Sequence, residues 1–432
     1  MKLKKILVLG GSAASVEVVA TSRELGYFAV VADDRVTGPA KEIADQSYVI
    51  STTDIESLAL LVEKEGIDGV FCGPSEFNLK NCMALSERTG LPFYCTRAQW
   101  DRCSDKSSFR EMCLRHDVPC VPGYDVPSEI ESADLSHLHY PVMVKPVDGA
   151  SSRGVRVCHN AEEVKDAYRA AVEISSTSRA LVERYIDNSE SGFTAYYIVI
   201  DGRVHLTLTG DKLLVDPKKG LHITAAALFP SRYTDPYLET IHPKVAKMIK
   251  SIGMKNGVCF LQALVTEGQI LFHEMGLRLS GGLMYKLTDE RNGVNDLKMM
   301  IRHAMGERMC SPEEESRITP YLNGVVAGSL CVPLGIGTVS HIGGVEDIIS
   351  LPGVMDVMQN YAVGDEMTRE KIGTLPQLFG RFKFMVKDGR EAAKTMDRIQ
   401  DLLIIRDKDG HDMIYKRFDS RRLGTIERRG MP

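Results

Sequence analysis

Short apolar runs and amphipathic stretches alternate along the first hundred residues. A run at 6–9 ends in Gly10-Gly11-Ser12, and the apolar positions Val16, Val18, Val19 and Leu25 then recur with helical spacing. Gly26 closes that pattern before a second run, 28–32, which ends at Asp33-Asp34. Further strands are expected at 47–50 and 69–72, with a helix between them carrying Leu58, Leu61 and Val62. Strands alternating with helices predict an open, parallel α/β sheet over residues 1–100. Around 97–120 the alternation weakens. Residues 101–115 read as one helix carrying Asp105-Lys106 and Phe109-Arg110, and Pro119, Pro122 and Pro127 punctuate a linker or edge strand.

The rhythm then changes. Strands are expected at 140–145, 154–158, 179–183, 194–200, 203–209, 257–264 and 269–274, and helices at 161–175, 235–252 and 293–306. That pattern predicts an α+β domain of mostly antiparallel strands. Ser311-Pro312-Glu313-Glu314-Glu315 marks a boundary, and 320–432 again mixes strands with helices, among them a clear amphipathic helix at 391–402. The division is therefore 1–100, 101–310 (with subdomains of about 125–190 and 191–310) and a small α+β domain at 311–432.

Composition narrows the classes. A chain of 432 residues holds two to four domains and can bury a large core. A net charge of −5 gives no electrostatic case for nucleic acid or an anionic membrane. No apolar run approaches the ~20 residues that span a bilayer. The opening apolar run before Gly10-Gly11 is short, so it reads as a first strand in preference to a signal peptide. Ten scattered cysteines without a CxxC pair fit reduced thiols in a cytoplasmic protein. The basic stretch 416–432 reads as a solvated end.

Three segments carry chemistry. Tyr140-Pro141-Val142-Met143-Val144-Lys145-Pro146 runs into Asp148-Gly149-Ala150-Ser151-Ser152-Arg153-Gly154. Small residues let backbone N–H groups close over phosphate oxygens, and the serine hydroxyls add donors. Lys145 sits on a strand that reads as interior, where an ammonium needs an anionic partner. In Leu181-Val182-Glu183-Arg184-Tyr185-Ile186, Tyr185 and Ile186 offer an apolar slot and backbone edge for an adenine, and Glu190 offers a bidentate acceptor for ribose hydroxyls. The third segment pairs Val258-Cys259-Phe260-Leu261-Gln262-Ala263 with Ile270-Leu271-Phe272-His273-Glu274 across a turn at Glu267-Gly268. Gln262 and Glu274 then share a face and aim at a cation such as Mg²⁺, which takes oxygen ligands. Arg278 follows, ahead of Ser280-Gly281-Gly282. It can reach a transferring phosphoryl group or an acyl oxyanion. Each segment alone has a structural alternative: a Gly/Ser hairpin beside an ordinary Lys–Glu pair, a surface carboxylate, an Arg–Glu pair. Their order and spacing together point to an enzyme that grips Mg-ATP.

The glycine turn at Gly10-Gly11-Ser12 with Asp33 some twenty residues beyond invites a dinucleotide reading, but the third glycine of G-x-G-x-x-G is missing. A generic βαβ turn explains it better. Its helix N-terminus still favours an anionic ligand.

These segments resemble the ATP-grasp superfamily of carboxylate–amine ligases, such as L-amino-acid ligases and carbamoyl-phosphate-synthase-like proteins, over nearly the whole chain. The resemblance implies an N-terminal Rossmann-like pre-grasp domain, a two-subdomain ATP-grasp fold and a C-terminal ligase domain. Lys106 and Lys145 then look like the two nucleotide lysines, with Lys212 a looser third phosphate contact. Ser151, Ser152 and Gly154 fall in the phosphate-covering loop, and Glu183, Tyr185, Ile186 and Glu190 match the adenine–ribose hinge. Glu274 and Arg278 match the Glu-x-Asn-x-Arg signature. Two positions depart: Gln262 stands where an acid is usual, and Gly276 replaces the asparagine. The implied reaction activates a carboxylate as an acyl phosphate with ATP and Mg²⁺ and joins it to an amine, with Lys145 and Arg278 as catalytic groups. Gly11, Ser12, Glu76, His222, Ser280, Gly281 and Gly282 are the expected substrate contacts. The resemblance implies small carboxylates and amines as partners, amino acids by analogy, and a homodimer, with neither nucleic acid nor membrane bound. A bicarbonate-activating enzyme and a non-catalytic ATP-binding protein stay open as alternatives.

Overall fold

A computed structural model describes residues 3–148, 154–187, 191–217 and 221–424. The N-terminal strands form a four-stranded parallel sheet in the order Gln46–Val49, Phe28–Asp33, Lys5–Leu9, Gly69–Phe71. Ile6 to Leu9 and Ala29 to Ala32 are fully buried, as strands covered by helices on both faces must be. Lys5–Leu9 lies inside the sheet, so the first apolar run is a strand, as its length predicts.

A second, four-stranded antiparallel sheet runs Gly123–Tyr124, Ala180–Arg184, Val142–Pro146, Arg156–Cys158. Helix Ala161–Ile174 covers it with Val164, Ala167, Tyr168 and Ala171. The third sheet has eight strands, ordered Gln269–Gly276, Gly257–Thr266, Ser191–Ile200, Arg203–Asp216, Leu221–Phe229, Val326–Pro333, Leu378–Val386, Val354–Gln359. Every residue of Ser191–Ile200 is buried. The sheet passes without a break from residues 191–276 into 326–386, because Leu221–Phe229 pairs with Val326–Pro333.

Residues 119–124 connect the two antiparallel sheets. Phe272 donates to Pro119 O and accepts from Val121 N, while Arg184 N donates to Pro122 O and Gly123 pairs with Glu183.

Several expected elements differ. The helix expected at 101–115 is two, Arg97–Ser104 and Lys106–Arg115, because the Asp105 carboxylate caps the second by accepting from Ser108 N at 2.8 Å. The helix expected at 235–252 divides into Thr234–Thr240 and His242–Ser251, where Pro243 supplies no N–H to continue the first. The one expected at 293–306 is preceded by Tyr285–Asn292, which ends at Gly293 with φ +63°, and Asn295 then caps Asp296–Ala304. Strand Leu221–Phe229 falls where no element was expected. Among the described residues no helix is long and apolar enough to cross a membrane.

Candidate active site

A cleft of about 1100 Å³ opens between the two antiparallel sheets and reaches the N-terminal domain at Ser12 and Ser75. Lys145 and Glu183 come from its four-stranded wall. Met143 faces Glu183 and Lys145 faces Leu181 across the ladder, so the lysine and glutamate are diagonal neighbours on one face. Lys145 Nζ lies 2.5 Å from Glu183 Oε2, with the side chains 8% and 6% exposed. Met143, Val157, Ile186 and Leu264 give this part an apolar wall, and Tyr185 lines it too, its N–H donating to Pro141 O at 3.4 Å.

The eight-stranded wall supplies Lys212, Gln262 and Glu274. Lys212 faces Gly192 in the neighbouring strand. With no side chain in the way, Lys212 crosses to donate from Nζ to Gln262 Oε1 at 2.6 Å. Gln262 Nε2 in turn donates to Glu274 Oε1 at 3.3 Å, across the register pair the sequence predicts. The register slips beside this pair: Gln262 faces Glu274 but Ala263 faces Phe272, leaving His273 as the extra residue of a bulge. Both His273 and Glu274 therefore line the cleft, where strict alternation would turn one of them away.

The charges are interdependent. Burial opposes ionisation of Glu274, but the cations Lys106, Lys212 and Arg278 around it overcome that and hold its carboxyl below the ordinary value. Burial pulls Lys212 down to about 8 against the favourable charge of Glu274, and lowers Lys106 against the same carboxylate. His273 is pushed to about 3 by burial and then by Lys145, so its imidazole is neutral. Lys106 opens its helix, and its backbone N–H donates to Val147 O at 2.9 Å.

Arg278 is held from three sides. Its Nη1 donates to Leu279 O at 3.0 Å, Nη2 lies 3.7 Å from Glu76 Oε2, and the guanidinium sits 5.1 Å from the centroid of the Phe260 ring. Phe260 faces Gly276 across the ladder, and a Cβ on Gly276 would fall 2.4 Å from Phe260 Cζ. The ring fills the space where a side chain at 276 would stand.

Of the residues singled out in the sequence, the cleft gathers Ser12, Lys106, Lys145, Glu183, Tyr185, Ile186, Lys212, His222, Gln262, Glu274, Arg278, Ser280, Gly281 and Gly282. Three others have different places. Glu76 acts on Arg278. Gly11 does not line the cleft; its N–H donates to Asp33 Oδ2 at 2.7 Å. Arg35, then Gly11, hold the Asp33 carboxyl far below the usual range, which accounts for Asp33 without a dinucleotide. Gly154, at φ +73°, packs against Ile174 and Pro146. Ser151, Ser152 and Glu190 lie outside the described residues. His273 and Arg381 line the cleft without having been foreseen.

Two antiparallel sheets thus close on a lysine-rich cleft beside one carboxylate–arginine pair. Residues 105–311 match the family described as the carbamoyl-phosphate synthase L chain, ATP binding domain. Two curated relatives are the 2-oxoglutarate carboxylase small subunit of Hydrogenobacter thermophilus, 26% identical over 74% of this chain and 70% of its own, and the formate-dependent phosphoribosylglycinamide formyltransferase of Sulfurisphaera tokodaii, 22% identical over 70% of this chain and 76% of its own. Among solved structures, the L-amino acid ligase from Bacillus licheniformis superposes with a TM-score of 0.78 at 18% identity, covering 94% of this chain and 100% of that one. The biotin carboxylase domain dimer of the Hydrogenobacter enzyme, in complex with MgADP, ADP and bicarbonate, gives 0.75 at 22% identity, covering 98% and 97%.

Proposed function

We propose that this chain is an ATP-dependent carboxylate–amine ligase that forms an amide or peptide bond through an acyl phosphate and releases ADP and phosphate. The observation that carries the reading is the convergence of Lys106 and Lys212 on Glu274, beside Arg278, with the Lys145–Glu183 pair in the same cleft. Such an excess of buried positive charge suits a polyanion, and an apolar wall beside it suits a base. The carboxylate of Glu274 and the amide oxygen of Gln262 fit Mg²⁺, a hard ion that completes its shell with phosphate and water. When bound, Mg²⁺ neutralises phosphate charge.

Lys106, Lys145 and Lys212 hold the phosphates, with Ser151 and Ser152 covering them. Tyr185 and Ile186 flank the adenine, and Glu190 takes the ribose. A substrate carboxylate oxygen bonds to the γ-phosphorus as the bond to ADP breaks. The amine nitrogen then bonds to the acyl carbon, the amine loses a proton, and phosphate leaves with the C–O electron pair. Arg278, fixed by Glu76 and Phe260, is pre-oriented toward the phosphoryl group and then the tetrahedral oxyanion, where a preorganised donor is worth most. Exclusion of water protects the acyl phosphate from hydrolysis.

Incubation with Mg-ATP and amino acids, singly and in pairs, tests the reading by ADP and phosphate release. Release that requires particular acid–amine pairs is expected. Release driven by bicarbonate without an amine would assign a bicarbonate-activating enzyme, the chemistry suggested by the ligand of the Hydrogenobacter structure. Tight ATP binding without turnover would leave a non-catalytic ATP-binding protein.

A further inference from the structure

Strand Leu378–Val386 turns two successive cations, Arg381 and Lys383, toward the same face. They are treated differently. Lys383, 1% exposed, is neutralised by Asp356, whose Oδ2 lies 2.5 Å from its Nζ and whose Oδ1 takes Lys286 at 2.8 Å. Arg381 forms no ion pair among the described residues, and it is the one that lines the cleft. Its Nη1 donates to the neutral Gly281 O at 2.8 Å. Its neighbours on the adjoining strand, Ser329 and Cys331, are uncharged. Lys212 adds positive charge to the same part of the cleft.

A guanidinium is a rigid fork shaped for an oxyanion. Arg381 is anchored by one arm and, among the described residues, has no carboxylate to grip. It also shares a loop with the reacting centre: Arg278 holds Leu279 O and Arg381 holds Gly281 O. Two residues of chain span at most about 7 Å, which with the two hydrogen bonds of 3.0 and 2.8 Å keeps the bonded guanidinium nitrogens within about 13 Å, a gap that an extended dicarboxylate or amino acid can bridge by a hydrogen bond at each end. From this arrangement, and resting on the ligase reading above, we infer that Arg381 binds a substrate carboxylate that is not activated. That carboxylate is either the second carboxylate of a dicarboxylic acid or the free α-carboxylate of an amino-acid acceptor.

The test is binding to the full chain saturated with MgADP, which cannot turn over. Probes are succinate, glutarate, L-aspartate and L-glutamate against their mono-amides, and L-alanine and L-leucine against their carboxamides. At least one matched pair is expected to differ by about tenfold to a hundredfold in favour of the free carboxylate, the range for one charge-assisted hydrogen bond. The acid series and the amino-acid series tell the two sources apart. Arg381→Gln should abolish the difference, Arg381→Lys should keep part of it, and ADP affinity should stay within about twofold in both. Equal binding of all matched pairs by the unaltered protein overturns the inference. So does an unchanged preference in Arg381→Gln, or a loss of ADP affinity in its place, which would assign the arginine to phosphate. If Arg381→Gln does not fold, Arg381→Lys decides: full retention of the preference overturns the inference. Because no step depends on catalysis, absence of ligase turnover with an intact Arg381-dependent preference would refute the ligase reading alone.

Discussion

Replacing Lys145 with methionine and Glu183 with leucine, singly and together, separates what this pair does for the fold from what it does for the nucleotide. The two charges lie 2.5 Å apart with 8% and 6% of their side chains exposed. At an effective dielectric of about 20 their attraction is roughly 7 kcal/mol, offset by several kcal/mol of desolvation per ion. The net contribution is therefore small, while either single substitution strands a buried charge and should cost about 3–5 kcal/mol. At roughly 2–4 °C per kcal/mol that lowers Tm by about 6–20 °C. The double variant removes both charges and should return to within about 1 kcal/mol of the parent. ATP affinity should behave differently: Lys145→Met and the double variant both lose it, because the double variant restores packing but not the phosphate contact. Calorimetric melting and nucleotide titration on the three variants measure both. A double variant as unstable as the two singles summed would refute the buried-pair argument. One that binds ATP normally would remove Lys145 from the nucleotide site.

Lys212 should give nucleotide binding an alkaline limb. Its ammonium is lowered to about 8, so the charge that meets phosphate is present below that pH and is lost as pH rises through it. ADP Kd measured from pH 6.5 to 9.5 should rise above about 8, and Lys212→Arg should remove the limb. Installing the usual residue at the signature, Gly276→Asn, should weaken the protein by about 1–3 kcal/mol and lower activity, because the new Cβ meets Phe260 at 2.4 Å; Phe260→Leu in the same chain should recover stability, as read by Tm. Asp356→Asn strands Lys383 and should cost about 3–5 kcal/mol. Glu17→Gln, on a side chain 34% exposed against the same Lys286, should cost under about 1 kcal/mol. Urea melts of the two compare them.

The N-terminal sheet and most strands of the two antiparallel sheets were legible because their apolar runs end at glycines and turn residues that force the backbone. Leu221–Phe229 was not. Its start, Leu221-His222-Ile223-Thr224, alternates for only four residues before Ala225-Ala226-Ala227, buried between neighbouring strands, breaks the period and favours helix as readily as strand. Helices were placed correctly in length only where no local cap competed, and Asp105 and Asn295 cut two of them short. In the cleft, Gln262 opposite Glu274 followed from strand period and turn length. His273 did not, because a bulge overrides alternation and leaves no mark in composition. Arg381 is a hundred residues from the carbonyl it holds, and nothing local to either position announces the other.

The connection through residues 119–124 has a consequence for how such a cleft can be followed in solution. Among the described residues every other ladder bond of these two sheets belongs wholly to one or the other, so a relative rotation of the two sheets strains this short stretch, bonded to Phe272 on one side and to Glu183 and Arg184 on the other. Cys120 sits in the middle of it, less deeply covered than the other cysteines and beside Cys113. The stretch is in effect a torsion strip with a thiol at its centre, and the rate at which Cys120 reacts with a small alkylating reagent, with and without nucleotide, becomes a gauge of the angle between the sheets.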